Sequence, residues 1–480
     1  MTHPLSPAHS HHPPGHAPPP PPDPRRWAAL ALICVAQFML ILDVTVINVA
    51  LPDMAADLDL GRTTLTWAVT AYTLCFGGLM LLGGRLADAL GARRTLLAGL
   101  AVFTAASLVT GLAQGAPVLL GGRIAQGVGA ALLSPAALAL VTTAFHGAER
   151  TKALGVWAAL GGSGAAAGVL LGGVLTEGPG WRWVFYLNVP VGLALLATLP
   201  ALVPARPPRP ARLDVPGALL VTSGTAALIY GLVEAGDSGW SGPGTLLPLA
   251  AAVALYAGFA AVERASRAPL MDLRMLTRRP VQAGAFLMLV ATALLIAFFF
   301  LGSVYLQHAR GFGPLETGLV FLPVAVATGL GAHLGSRLVG RLGSRPTAVA
   351  GLLIAAAGCA PLTRLSDTGS VYAVLLPGFA VASLGIGAVF VTATTTALAM
   401  VGHEEAGLAS GVVNTFHEVG GSIGVAVVST VAATGIEGGA VGGFTDAFTL
   451  CAATAAVGAV LALAVVPQGK PQPTGGPHAH

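Results

Sequence analysis

GGRLADALGARR, residues 83–94, returns as GSRLVGRLGSRP at 335–346, an offset of 252. Both strings separate two long apolar runs, and both end in basic residues. Further out, RIAQGVGAALLSP (123–135) has an echo around Gly385 and Gly387 at an offset of 258. Glu149, Gly155, Gly164 and Gly168 are matched by Glu405, Gly411, Gly420 and Gly424, each 256 residues later. Three independent matches at nearly one offset point to a duplication, with two related halves and a segment inserted between them.

The apolar runs say what the halves are made of. Of 480 residues, 55% are hydrophobic and 9% charged, with a mean hydropathy of +0.79. Soluble domains carry about 25% charged residues, and neither a soluble nor a disordered chain has this composition. A helix crossing a bilayer needs ~20 apolar residues. Such runs lie near 27–50, 65–84, 95–113, 117–142, 153–175 and 184–203. A pair follows near 215–233 and 245–263, then six more near 281–306, 315–338, 347–364, 371–400, 408–434 and 445–466. The expected fold is an all-α polytopic membrane protein of fourteen transmembrane helices in a 6+2+6 arrangement. Its expected divisions are a His/Pro-rich disordered tail (1–26), a six-helix half (27–203), a linker with two extra helices (204–268), a second half (269–466) and a disordered tail (467–480). The first span is too long for a signal-peptide core and no prompt cleavage site follows it, so it is expected to stay as an anchor. Loops this short leave no room for a soluble enzyme domain.

Loop cations set the orientation. With both termini cytoplasmic, the inner loops and tails hold nineteen of the 24 Lys and Arg. The outer loops hold Arg62, Arg182, Arg310 and Arg364, and Arg123 alone falls within a span. One helix more or fewer would move every later loop to the other side and destroy this asymmetry. The net charge of +4 is thus topological, and no nucleic-acid partner is implied. Abundant Ala and Gly, with only Lys152 and Lys470 among the cations that are not Arg, indicate a GC-rich bacterial genome. The expected location is a bacterial cell membrane. Repeated six-helix halves around a midplane site are the plan of secondary transporters that rock between two states.

Charges at membrane depth are costly, about 2.5–3.5 kcal/mol each on insertion scales, and therefore conspicuous. Asp43, in LDVTVINVALP (42–52), lies in the first span. Desolvation disfavours its charged form, the condition under which a carboxyl carries a proton; the alternative is a structural tie to a neighbouring helix. Arg123 needs an anionic or carbonyl partner, and Gln126 lies on the same helical face. Arg123 is expected to tune Asp43 in a proton relay, or else to bind backbone carbonyls. Glu418 is the second deep acid, in GVVNTFHEVGGSIG (411–424), with Asn414 one turn away and His417 beside it. A proton path and a plain helix tie are equally open there. Asn48, Gln126, Tyr305, Asn414 and His417 are candidate substrate-cavity residues. In the 84–94 loop, Gly84 and Gly91 permit a tight turn, while Asp88 can bond Arg93 or Arg94, or face a helix N-terminus of the other half, as a gate. Gly164, Gly168 and Gly172, with Gly173, leave a nearly bare helix face for close, sliding contact.

Other chemistries lack their residues. Cys34, Cys75, Cys359 and Cys451 are scattered through apolar runs, so neither a disulfide framework nor a metal site is expected. There is no GxxxxGK[ST] for ATP, which leaves an ion gradient; sparse, unclustered acids favour protons over sodium. The GxSG at 161–164 has no protease context, and the five tail histidines have none for a metal site.

Together these strings resemble the major facilitator superfamily, and within it the fourteen-helix drug:proton antiporter branch, over residues 27–466. LDVTVINVALP, GRLADALGARR (84–94), RIAQGVGAA (123–131), WRWVFYLNVPVG (181–192), PLMDLRMLTRRP (269–280) and the run ending PLETGLVFLP (314–323) carry the resemblance, in order. It implies export of drugs, antibiotics or related small molecules in exchange for inward protons, with no cofactor, by a monomer in the lipid bilayer. It also implies that Asp43 is the first-helix acid, Arg123 the fourth-helix proton-relay arginine, and Asp88 with Arg93 the gating loop. The branch's helix-5 motif reads GPxxGG, where this chain has GVLLGG (168–173) with Val169 in place of proline. That motif accompanies export, so a proton-coupled carrier of a specific metabolite in either direction, and a non-transporting sensor, stand as alternatives.

Overall fold

The computed structural model describes residues 25–145, 147–203, 214–266, 269, 273–366, 370–398, 406–438 and 441–468. Most of the two expected tails (1–24 and 469–480), all of 204–213 and most of 267–272 lie outside the described residues. The rest is helical: α1 (Arg26–Leu58), α2 (Arg62–Leu90), α3 (Ala92–Gly111), α4 (Ala116–Ala144), α5 (Gly147–Glu177) and α6 (Trp183–Leu202) come first. α7 (Val215–Ser238) and α8 (Pro243–Ala265) follow, then α9 (Arg279–Ala309), α10 (Pro314–Leu342), α11 (Ser344–Arg364), α12 (Val371–Leu398), α13 (Ala406–Val431) and α14 (Val441–Val465). Among the described residues twelve helices are long and apolar enough to cross a membrane. The twelve exclude α13, which carries Asn414, His417 and Glu418, and α5, whose described apolar stretch is only Ala167–Glu177. Proline in the first turn opens α4, α7, α8, α9 and α10, where a missing N–H costs nothing.

The repeat is visible in the packing. In the first six helices α1 lies on α5, α2 and α3 on α4, and α3 on α6. In the last six, α9 lies on α13, α10 and α11 on α12, and α11 on α14. Gly91 and Gly343, one offset of 252 apart, occupy the same place before α3 and α11 with the same φ of +94°. A side chain strains that backbone by about 1–3 kcal/mol, so Gly91→Ala and Gly343→Ala are each expected to lower the melting temperature by a few degrees; an unchanged melting curve would contradict the assignment.

The two sets of six meet along α2–α13 and α5–α10, the same pairing with its members exchanged. α7 fills the side of the α2–α13 seam, with Thr430 Oγ1 donating to Leu232 O at 2.7 Å, and α8 packs on α7. α8 faces outward: 17% of its apolar window is buried, against 78% for α2. The end where α1 begins is called the near end below, and the end where α1 finishes the far end.

Candidate functional site

Five helices of the first set converge on one carboxylate. Asp43 on α1 is 2% exposed, and Arg123 on α4 is 1% exposed. Arg123 Nη1 donates to Asp43 Oδ2 and, at 3.0 Å, to Gln126 Oε1; its Nε donates to Ala68 O of α2 at 2.9 Å. The guanidinium lies over the Tyr72 ring, 4.4 Å from its centroid. Gln126 Nε2 donates to Asp43 Oδ1 and to Ser107 Oγ of α3, both at 2.9 Å. Asn188 Nδ2 of α6 reaches the same two acceptors at 3.3 and 3.4 Å. Arg123 and Gln126 stand three residues apart on a helix and so share a face. Gly127, one turn beyond Arg123 on the side that meets α2, lets that helix come close: a Cβ there would stand 2.5 Å from Tyr72 O.

Removing either partner strands a buried charge, worth roughly 3–5 kcal/mol.

Glu418 sits apart from this network, on α13, and α2 lies between them. Its Cβ faces Gly77, and its Oε1 is 3.2 Å from His417 Nδ1. Along the same seam Thr73 and Ser422 share a 2.5 Å hydrogen bond, as do Thr66 and Ser429. Ala68 and Tyr72 of α2 thus meet Arg123, while Thr66, Thr73 and Gly77 meet α13. Asn414 is exposed and has no hydrogen bond to Glu418 among the described residues. His417 is half-buried, its ring 5.8 Å from that of Phe390.

Several expected roles need correction or refinement. Tyr305 is fully buried; it packs edge-on to Phe444, its hydroxyl accepts from Arg310 at 3.2 Å, and with Arg310 and Val371 it borders a small cavity at the far end, away from the Asp43 network. Asn48 is also fully buried, its amide donating to Val44 O at 2.8 Å and its Oδ1 without a partner among the described residues. In the 84–94 loop Asp88 and Arg94 are exposed, Arg93 is half-buried, and Asp88 makes no ion pair among the described residues. Instead, Arg85 ties α2 to Pro269 O at 2.7 Å, and Thr95 closes the turn onto Leu86 O and Gly91 O. Gly84 has only Pro135 nearby. The glycine face of α5 lies on α1: a Cβ at Gly164 would meet Ile41, one at Gly168 Thr45, and one at Gly172 Val46. Gly173 points the other way, onto Leu315 of α10. A cavity of about 300 Å³ lies between α2, α4 and α7, lined by residues such as Trp67, Cys75 and Ile124, and includes none of the ionic residues.

Ser107, Tyr72 and Asn188 were not singled out as site residues in the sequence. Asn188 lies inside WRWVFYLNVPVG, whose other members knot the far end. Trp181 Nε1 and Arg182 Nη1 donate to Asp57 Oδ2 at 3.0 and 2.6 Å, and Tyr186 Oη donates to Gly111 O at 2.8 Å. That string is one device for holding α6 where Asn188 reaches Asp43.

Comparison with known proteins agrees with this architecture. The family model described as Major Facilitator Superfamily matches residues 33–425. The puromycin resistance protein pur8 of Streptomyces alboniger is 42% identical over 417 residues, 85% of this chain and 82% of the relative. The cephamycin export protein CmcT of Amycolatopsis lactamdurans is 37% identical over 85% of this chain and 86% of its own. Among solved structures, the POT family transporter PepTSo superposes with a TM-score of 0.67 at 16% identity, covering 93% of this chain and 98% of that one; it speaks for the fold alone. The chain belongs to the Major Facilitator Superfamily, and is a multi-pass bacterial membrane transporter rather than an enzyme.

Proposed function

We propose that this transporter exports antibiotics or related small molecules from the cytosol in exchange for inward protons, by alternating access. The observation that carries the proposal is the buried Asp43–Arg123 pair held by Gln126, Asn188 and Ser107. In this scheme a proton arriving from outside neutralises Asp43, releases Arg123, and loosens the contact between α1, α2 and α4. Because α2 also carries the seam to α13, the change reaches the second half and Glu418. Return to the ion pair expels the proton inward and resets the cycle. The buried, unpaired Oδ1 of Asn48 and hydroxyl of Tyr72 are polar points for substrate in the same region.

The full topology belongs to the same proposal. α5 and α13 cross the bilayer with the other twelve, giving fourteen spans and cytoplasmic termini, so that the near end faces the cytosol. Halves 27–203 and 269–466 then rock about the α2–α13 and α5–α10 seams, with the 204–268 pair inserted between them, in a monomer. The loop-cation asymmetry supports this orientation. Val169 keeps the opposite direction in play, and the test below separates the two.

Puromycin is the first probe, because a 42% identical relative is named for resistance to it. Cells of a drug-sensitive host that express the chain are expected to accumulate less puromycin, or less of a panel of other antibiotics and dyes, than vector controls. A proton uncoupler is expected to abolish the difference. Higher accumulation would establish import, and unchanged accumulation across the panel would defeat the exporter reading.

A further inference from the structure

At the far end an acid outside the Asp43 network ties the two sets of helices together. Glu177, the last residue of α5, accepts a hydrogen bond through Oε2 from Leu315 N at 3.0 Å, in the first turn of α10. First-turn amides have no intrahelical acceptor and sit at the positive end of the helix dipole, so a carboxylate is their natural partner. Here the partner comes from the opposite half of the molecule.

The surroundings are shaped for this contact. A Cβ on Gly313 would stand 3.2 Å from the Glu177 carboxylate, so glycine keeps the approach open. A Cβ at Gly173 would be 2.8 Å from Leu315 Cα, and one at Gly318 would be 2.5 Å from Val169 O; α5 and α10 meet almost backbone to backbone. Gln307 Nε2 of α9 adds a second tie to Val49 O of α1, at 2.8 Å. Other charged groups face the same place. Asp53 of α1 is near enough to feel both Glu177 and His308 of α9, and Glu316 of α10 accepts from Gly313 N at 3.2 Å. At the near end the corresponding acid, Asp88, is exposed and unpaired among the described residues.

We infer that Glu177 is the latch of the far, outer end: its carboxylate on the α10 N-terminus holds that end closed, and must let go before substrate can leave. Glu177 acts through helix position, not by touching substrate, and is a positioning residue. The inference rests on the alternating-access reading above.

Electron–electron spin distances in proteoliposomes test both ends at once. In a background with Cys34, Cys75, Cys359 and Cys451 replaced by Ala, one pair of labels goes at Gln114→Cys and Arg364→Cys, and another at Arg94→Cys and Leu342→Cys. All four labelled positions are exposed. Glu177→Ala is expected to raise the long-distance population at the far end by about tenfold, as for loss of a charged hydrogen bond, and to shorten the near-end distances. Glu177→Gln keeps an acceptor for Leu315 N without the charge, and is expected to fall between parent and Ala. Unchanged distributions in Glu177→Ala, while substrate or acid still switches both pairs in the parent, would overturn the latch alone. A parent that never switches at either end would overturn alternating access, and the latch with it.

Discussion

Cells carrying the Asp43→Asn variant are expected to be as drug-sensitive as cells without the transporter, although the protein reaches the membrane. Asparagine preserves the shape and can still bond Gln126 or Asn188, but it cannot exchange a proton or balance Arg123. Arg123 then stays 1% exposed with only Ala68 O, the Gln126 amide and the Tyr72 face around it. Stranding a buried charge costs roughly 3–5 kcal/mol, so the purified variant should also melt several degrees lower. Stability and transport can be separated. The double variant Asp43→Asn/Arg123→Gln removes both charges, and is expected to recover most of the melting temperature without recovering export. Recovery of both would mean that the pair is only structural.

Gly168→Ala is expected to have the second largest effect, for reasons of space alone. A Cβ there would stand 2.8 Å from Thr45 Cβ, closer than real Cβ atoms approach, and nearer still to the Thr45 hydroxyl. Thr45 is buried on α1, its hydroxyl donating to Ile41 O and Leu42 O, so it cannot swing away freely. α5 must then shift off α1, beside Val169 and about one and a half turns from Gly173, both at the seam with α10. Overpacking of this kind costs about 1–3 kcal/mol, and transport should fall by tenfold or more because α1 also carries Asp43. Thr45→Gly in the same chain opens the space, at a helix-propensity cost of about 1 kcal/mol, and is expected to restore export in part. Gly168→Ala with wild-type accumulation and melting behaviour would show that the α1–α5 contact is slack.

Both variants act on residues that the sequence makes visible, and the reason is physical. Asp43 and Arg123 stand out because charge is scarce at membrane depth, and Gln126 follows from helical spacing. Ser107, Tyr72 and Asn188 do not stand out, since neutral polar and aromatic residues are ordinary in apolar helices and only the fold brings them together. The repeat was legible because its glycines do backbone jobs, as at Gly91 and Gly343. Asp88 is legible as an acid in a basic turn, but the turn is closed by Thr95 on Leu86 O and Gly91 O, and no linear pattern encodes that. Tyr305 illustrates the limit of reading an aromatic run: the run does not encode that its ring meets Phe444 and its hydroxyl Arg310. Glu177 was passed over because its partner is a backbone amide 138 residues away.

The central claim is that Asp43 is the carboxyl through which protons are exchanged for substrate. Its most direct test is proton movement itself, followed with a trapped pH dye in proteoliposomes when an exported drug is added to the parent and to Asp43→Asn. The parent is expected to move protons in the direction opposite to the drug, and Asp43→Asn to move none. Drug-coupled proton movement that persists undiminished in Asp43→Asn would contradict the account.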